Sequence, residues 1–195
     1  VENFDLPQLR APGFPDESFI RSEVPMTKQE VRAAALAKLA VMPTDTLWDV
    51  GAGTGSVSVE LALAAPKGRV YAVEPDACEL IRKNRAKFHA CNLILIEGRA
   101  PDVLADLPAP DAVFIGGTKG GMEAVVDTVL ARNPNARICI SAIALETLGA
   151  AIAALTARGL TAEVTQIAVS RTKPAGRLHL LMANNPIFLI TGTRK

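Results

Sequence analysis

The sequence predicts an α/β fold: a doubly wound, mostly parallel sheet with helices on both faces, an antiparallel last strand and an N-terminal arm. Three observations carry this. Short β-rich runs alternate with helix-length segments from residue 46 to residue 158. The runs Val70–Val73, Leu93–Ile96, Ala112–Ile115 and Ile138–Ile140 are continuously apolar, as in strands covered on both faces. A glycine-rich turn, Gly51-Ala52-Gly53-Thr54-Gly55, stands where the first strand becomes a helix, the position of ligand loops in open α/β sheets.

The elements follow in order. Residues 1–24 read as an irregular arm, rich in Pro and charge, that packs through Phe4, Phe14 and Phe19; residues 25–195 read as the domain. Thr27 with Glu30 three residues on is a capping box, which starts a helix running to about Val41, and Pro43 closes it. Val31, Ala34, Ala35 and Leu39 recur along it at helical spacing. Then come a strand at 46–50, a helix at 55–65, a strand at 69–73, a helix at 76–89 and a strand at 93–96. A short helix near 102–105 precedes a strand at 111–115, a helix at 121–132, a strand at 137–140 and a helix at 145–158 stopped by Gly159. Two further strands fall near 162–169 and 186–191. There is no internal repeat.

Composition narrows the function. The 195 residues, 49% of them hydrophobic and 21% charged, are enough for one domain with a sizeable core and unlike a disordered chain. A net charge of +1 argues against a protein held on nucleic acid by bulk charge. The apolar runs are too short to span a bilayer, and no signal peptide opens the sequence. Cys78, Cys91 and Cys139 have no CxxC spacing, which excludes a disulfide scaffold, suits a reducing cytoplasm and reads as buried small hydrophobes. The charge is uneven: after Glu163 there is no acid, and Arg171, Lys173, Arg177, Arg194 and Lys195 give that stretch +5 against −4 for the rest. Arg171, Lys173 and Arg177 are therefore candidates for gripping an anionic partner.

The glycine loop lets the backbone turn sharply and approach a ligand at the helix N-terminus. Glu74 ends the second strand, 23 residues after Gly51, where a carboxylate can accept bonds from both hydroxyls of a ribose. Together they describe an adenosine-type cofactor site. A dinucleotide fingerprint needs GxGxxG, and Ser56 stands at its third position. The GxGxG pattern with Glu74 resembles motif I and its following acid in S-adenosylmethionine methyltransferases, whose cofactor needs no phosphate-binding Lys. In that fold Gly98-Arg99-Ala100 borders the adenine, with Ala100 small enough for a ring to lie against it. Gly116 and Gly117 follow the fourth strand, where base-modifying relatives carry Asn/Asp-Pro-Pro-aromatic; either a tight turn or a bulky ligand near the methyl group accounts for glycine there.

Seven segments carry a closer resemblance: Gly13–Asp16 with Phe19, Pro25–Lys28 with Glu30–Arg32, Asp49–Gly55, Gly98–Pro101, Phe114–Gly117, Ser170-Arg171, and Asn185-Pro186 with Ile190–Gly192. They are similar to the corrin-pathway methyltransferases that act on precorrin-6Y-derived substrate, over residues 13 to 192. In many bacteria that unit is the C-terminal half of a C(5,15)-methyltransferase (decarboxylating), and the start at Val1 suits an excised half; in others it stands alone. Thr118-Lys119 departs from the family's shorter small-residue loop. The resemblance implies a class I, Rossmann-like methyltransferase that uses S-adenosylmethionine to methylate C(15) of a precorrin, with acetate decarboxylation, in cobalamin biosynthesis. It also implies a homo-oligomer, a tetramer in the family.

The expected cofactor contacts are Thr27, Asp49, Gly51, Ala52, Gly53, Thr54, Gly55, Glu74, Arg99, Ala100 and Gly116. Gly117, Lys119, Arg171, Lys173 and Arg177 are the expected substrate contacts. No catalytic acid or base and no metal set stands out: a meso carbon can attack the methyl sulfonium itself, and the ring's protonated imine can take the electron pair of decarboxylation. Lys28 and Arg32 each read as solvated surface charge, His179 as a structural residue, His89 as a partner of a helix dipole, and Trp48 as core. Three rival readings stay open at this point: an RNA or protein methyltransferase, a non-catalytic cofactor module, and a dinucleotide oxidoreductase.

Overall fold

A computed structural model describes residues 12–194. Phe4 and Lys195 lie outside them. Among the described residues are nine strands and five α-helices: β1 Thr46–Val50, β2 Arg69–Glu74, β3 Leu93–Glu97, β4 Ala112–Ile115, β5 Arg137–Ala142, β6 Thr161–Ile167, β7 Ser170–Ala175, β8 Leu178–Ala183 and β9 Ile187–Thr193, with α1 Gln29–Leu39, α2 Ser56–Ala64, α3 Cys78–Lys87, α4 Met122–Arg132 and α5 Leu145–Thr156. Seven strands form one sheet in the order β3-β2-β1-β4-β5-β9-β6. The first five are parallel, and β9 runs antiparallel to both β5 and β6. The strand order reverses between β1 and β4. In such sheets ligands bind beyond the carboxyl ends at that point.

Alternating side chains build two cores. Trp48, Val50, Val113 and Ile115 pack with Val125, Val126 and Val129 of α4 and with Ala151 and Leu155 of α5. Leu47, Ala112 and Phe114 point the other way, into Leu36, Leu39, Leu61 and Ile81 of α1, α2 and α3. Trp48 is fully buried and its Nε1 donates to the Pro108 carbonyl at 3.1 Å, so its one polar atom is satisfied.

The boundaries expected from sequence hold within a few residues, with three corrections. The short helix near 102–105 is a run of turns. The capping box does not form: α1 begins at Gln29, and its N-cap, Lys28, makes no side-chain cap bond. Asp16 of the arm instead accepts the Gln29 amide N–H at 2.9 Å. The stretch between the last two expected strands is a two-stranded hairpin, β7–β8, paired from Ser170–Ala183 to Ala175–Leu178. Gly176 at φ 60° supplies the left-handed conformation its tight turn requires. Exposed Leu178, Leu180, Leu181 and Met182 give it no core beneath it.

The arm packs as expected through two of its rings. Phe19 stacks on Phe88 at 4.7 Å, and Phe14 meets the same ring edge-on at 5.2 Å. The surprise is Arg32, which is fully buried rather than solvated. Its Nη1 donates to Asp16 Oδ1 at 2.9 Å, its Nε to Glu60 Oε1 at 2.7 Å, and its remaining donors reach the carbonyls of Thr27 and Phe14. Glu60 also accepts the amides of Gly13 and Phe14. Arm, α1 and α2 are thus held by one buried ionic network with a cation–π contact from Arg32 to Phe19. Two further readings need correction: Cys91 is exposed while Cys78 and Cys139 are buried, and His179 lies exposed on β8. His89 sits just past α3 with φ 51°.

Candidate functional site

The glycine loop is shaped by what it touches. The Gly51 and Ala52 amides both donate to the Val73 carbonyl, which draws the loop against the end of β2. Gly51 has φ 74°, and a Cβ there would lie 2.4 Å from the Gly117 carbonyl oxygen, so only glycine allows the β1 and β4 turns to touch. Gly117 differs: nothing of the protein lies within 4 Å of where its Cβ would be, so no packing demands glycine there. Gly55 caps α2 in the left-handed region, pressed against Ile81.

Glu74 closes the other side. Its Oε2 accepts the Gly53 amide at 2.9 Å, and its Oε1 accepts the amides of Asp76 and Ala77 at 2.9 and 3.1 Å. The carboxylate, 8% exposed, is fixed at the lip of the glycine loop with acceptor capacity left for a ligand's hydroxyls.

Two adjoining cavities straddle the loop and share Pro25, Gly51, Gly53 and Gly116 as walls. One, of about 310 Å³, is lined by Glu74, Arg99, Ala100, Gly117 and Lys119. The other, of about 360 Å³, is lined by Thr27, Ala52 and Thr54 and, on the far side, by Ser141, Asn184 and Asn185. Of the residues expected from sequence, Asp49, buried at the end of β1, and Gly55, the N-cap of α2, line neither cavity. Arg171, Lys173 and Arg177 line neither cavity. Arg171 is bound instead to Glu30 and Asp16, and Lys173 and Arg177 lie exposed on the hairpin. Lys119, with φ 47°, places its ammonium 3.0 Å from Asp76 Oδ2; that hydrogen bond and its charge hold the Asp76 carboxyl below its ordinary range.

Sequence reasoning missed the arm wall, Val24 to Met26 with Lys28, and the polar rim of Ser141, Asn184 and Asn185. The signal for the rim was available: Ser141 follows the apolar run of β5, and Asn184-Asn185-Pro186 breaks the chain before β9.

Asp49 is the most perturbed acid of the site. It is 1% exposed, its Oδ2 accepts the Ser58 hydroxyl, and its Oδ1 has no partner; the equally buried Thr54 Oγ1 has none either. Burial pushes the carboxyl up to about 7, Ser58 opposes this, and the Glu74 charge adds to it. A carboxyl raised in the folded state favours folding below its unfolded pKa, near 3.8, and loses that contribution as pH rises toward 7. Asp49→Asn should therefore gain stability relative to the parent chain as pH rises from about 4 to 7, read by denaturant midpoints. A pH-independent difference would show that Asp49 ionises normally.

A sheet reversed at β1/β4, a glycine loop bridging the β1 and β4 turns, and an acid ending β2 define a class I methyltransferase fold. An S-adenosylmethionine-dependent O-methyltransferase of Thermotoga maritima shares it, with TM-score 0.74 at 16% identity over 90% of this chain and 68% of that one. The chain belongs to the precorrin methyltransferase domain family, whose model matches residues 18–194. It is 41% identical over 180 residues, 90% of this chain and 93% of the relative, to the cobalt-precorrin-6B C(15)-methyltransferase (decarboxylating) of Salmonella typhimurium. The crystal structure of precorrin-6Y C5,15-methyltransferase from Geobacter metallireducens superposes with TM-score 0.91 at 38% identity, covering 97% of this chain and 100% of that one.

Proposed function

We propose that this chain methylates C(15) of a precorrin macrocycle from S-adenosylmethionine, with decarboxylation of an acetate side chain, in cobalamin biosynthesis. The observation that carries the reading is the two-lobed cleft around Gly51, with an anchored carboxylate in one lobe and unpaired buried polar atoms on Asp49 and Thr54 at the loop. The names of the Salmonella and Geobacter relatives support the substrate class.

The residues fit the cofactor part by part. Glu74 accepts the ribose hydroxyls, Ala100 with Arg99 borders the adenine, and Thr27, Gly51–Thr54 and Gly116 surround the methionine end. Asp49, through its unpartnered oxygen, favours a cationic group at that end. When bound, S-adenosylmethionine supplies an electrophilic methyl carbon. The macrocycle supplies the carbon nucleophile and, through its imine, the place for the electron pair that carbon dioxide leaves behind. What remains for the protein is placement. Gly117 leaves room for the ring, and Lys28, Arg99 and Lys119 are the cations in the cleft walls for its carboxylates. The exposed β7–β8 hairpin supports a homo-oligomer, a tetramer by resemblance; light scattering at one chain mass would remove that part.

The test is calorimetric titration with S-adenosylhomocysteine, with NAD as control, followed by methylation and carbon dioxide release from the precorrin. Binding of the first ligand alone and both products are expected. Cofactor binding with methyl transfer only to RNA or protein would overturn the substrate class.

A further inference from the structure

The wall of the cleft contributed by Val24–Lys28 belongs to a loop whose two ends are tied by one carboxylate. Asp16, 3% exposed, accepts the Gln29 amide through Oδ1, closing the loop from residue 16 to residue 29. The same oxygen holds Arg32, and Oδ2 accepts Arg171 Nη1 at 3.1 Å. Arg171 stands on β7, 155 residues away in sequence from Asp16. Its Nη2 and Nε also reach Glu30 Oε2 and Oε1 at 2.6 and 3.3 Å, a two-pronged grip on the first turn of α1. One guanidinium therefore spans the closing carboxylate, the helix that follows the loop, and the hairpin. None of Asp16, Glu30 and Arg171 lines either cavity.

We propose that Arg171 is a positioning residue: by pinning Asp16 and Glu30 it holds the 16–29 loop closed over the cleft and sets cofactor affinity from the β7–β8 hairpin. This assigns Arg171 to the lid rather than to a substrate carboxylate, and it rests on the reading of the cleft as the S-adenosylmethionine site. Arg32 and the Gln29 amide still hold Asp16 without Arg171, so its loss loosens the loop and leaves the fold intact. Arg171 is also 40% exposed on its side chain, which makes its removal tolerable.

The experiment compares the parent chain, Arg171→Ala, Arg171→Lys, Glu30→Gln and the double variant Arg171→Ala with Glu30→Gln. Calorimetry with S-adenosylhomocysteine reads affinity, and trypsin cleavage after Arg21, an exposed residue inside the loop, reads closure directly. Arg171→Ala is expected to weaken binding about three- to tenfold, the scale of a partly exposed ion-pair network, and to speed cleavage after Arg21 by a similar factor. Glu30→Gln should reproduce both effects, the double variant should add little to either, and Arg171→Lys should recover part of each. A raised KM for the precorrin in Arg171→Ala, with unchanged cofactor affinity, unchanged cleavage and a silent Glu30→Gln, would overturn the proposal. Failure of the parent chain to bind S-adenosylhomocysteine would fall on the cofactor reading instead, and the trypsin rates would still decide whether Arg171 closes the loop.

Discussion

Glu74→Ala is expected to lower affinity for S-adenosylhomocysteine by about 100-fold or more. A charge-assisted hydrogen bond contributes about 1.5–3 kcal/mol, and in the proposed cofactor site Glu74 accepts from two ribose hydroxyls. The substitution also withdraws the acceptor from the amides of Gly53, Asp76 and Ala77, so the loop loses its shape as well as its ligand contact. Glu74→Gln separates the two contributions. Its amide oxygen still accepts at the Gly53 side or the Asp76 side, while the charge toward the ribose is gone, so its loss should fall between the parent chain and alanine. Calorimetry on both variants, with thermal midpoints as the check on folding, makes the comparison. Equal affinity in all three would remove Glu74 from the cofactor site.

Glu74 also shows why this part of the site was legible in the sequence. A glycine loop after one strand and an acid at the end of the next are local features, and β1 and β2 pair in the register that sets Asp49 beside Ala72 and Val50 beside Val73. Local rules predict local geometry. The misses have the opposite character. Thr27 and Glu30 make a sound capping box on local grounds, yet the α1 terminus is served by Asp16, which also answers Arg32 and Arg171. Arg32 reads as a surface charge because nothing nearby in sequence announces that Glu60 is its partner 28 residues on. The β7–β8 hairpin was hidden by Pro174, which argues against a strand by removing a ladder donor. The structure places Pro174 within β7, in a two-stranded sheet where both strands are edges. Arg171, Lys173 and Arg177 were grouped by the sign of their charge alone. Once the hairpin exists, they part: one turns to the arm and two stay in solvent.

Arg32→Met is expected to be the most destabilising single change in the molecule. It keeps much of the aliphatic volume but leaves Glu60, 2% exposed, without the cation that pairs it, and Asp16, 3% exposed, with Arg171 in place of two guanidinium partners. Breaking a buried pair in this way costs about 3–5 kcal/mol, which for a domain of this size lowers the thermal midpoint by roughly 6–20 °C. The pH dependence identifies the cause. Burial pushes the Asp16 carboxyl up, but Arg32 and Arg171 outweigh it and hold it below 3.8. Its contribution is therefore present above 3.8 and lost as pH falls through the lower folded value. In Arg32→Met the Asp16 carboxyl loses the larger of the two guanidinium influences that lower it, so acidification costs the variant less than the parent chain. The gap between the two in denaturant midpoint should be widest at neutral pH and narrow below about pH 4. A gap that stays constant with pH would assign the loss to packing around Phe19 and α1 rather than to the stranded charges. Replacing all three partners at once, with Asp16→Asn and Glu60→Gln beside Arg32→Met, should recover much of the stability while leaving the arm less firmly tied, because amide oxygens still accept from Gly13, Phe14 and Gln29.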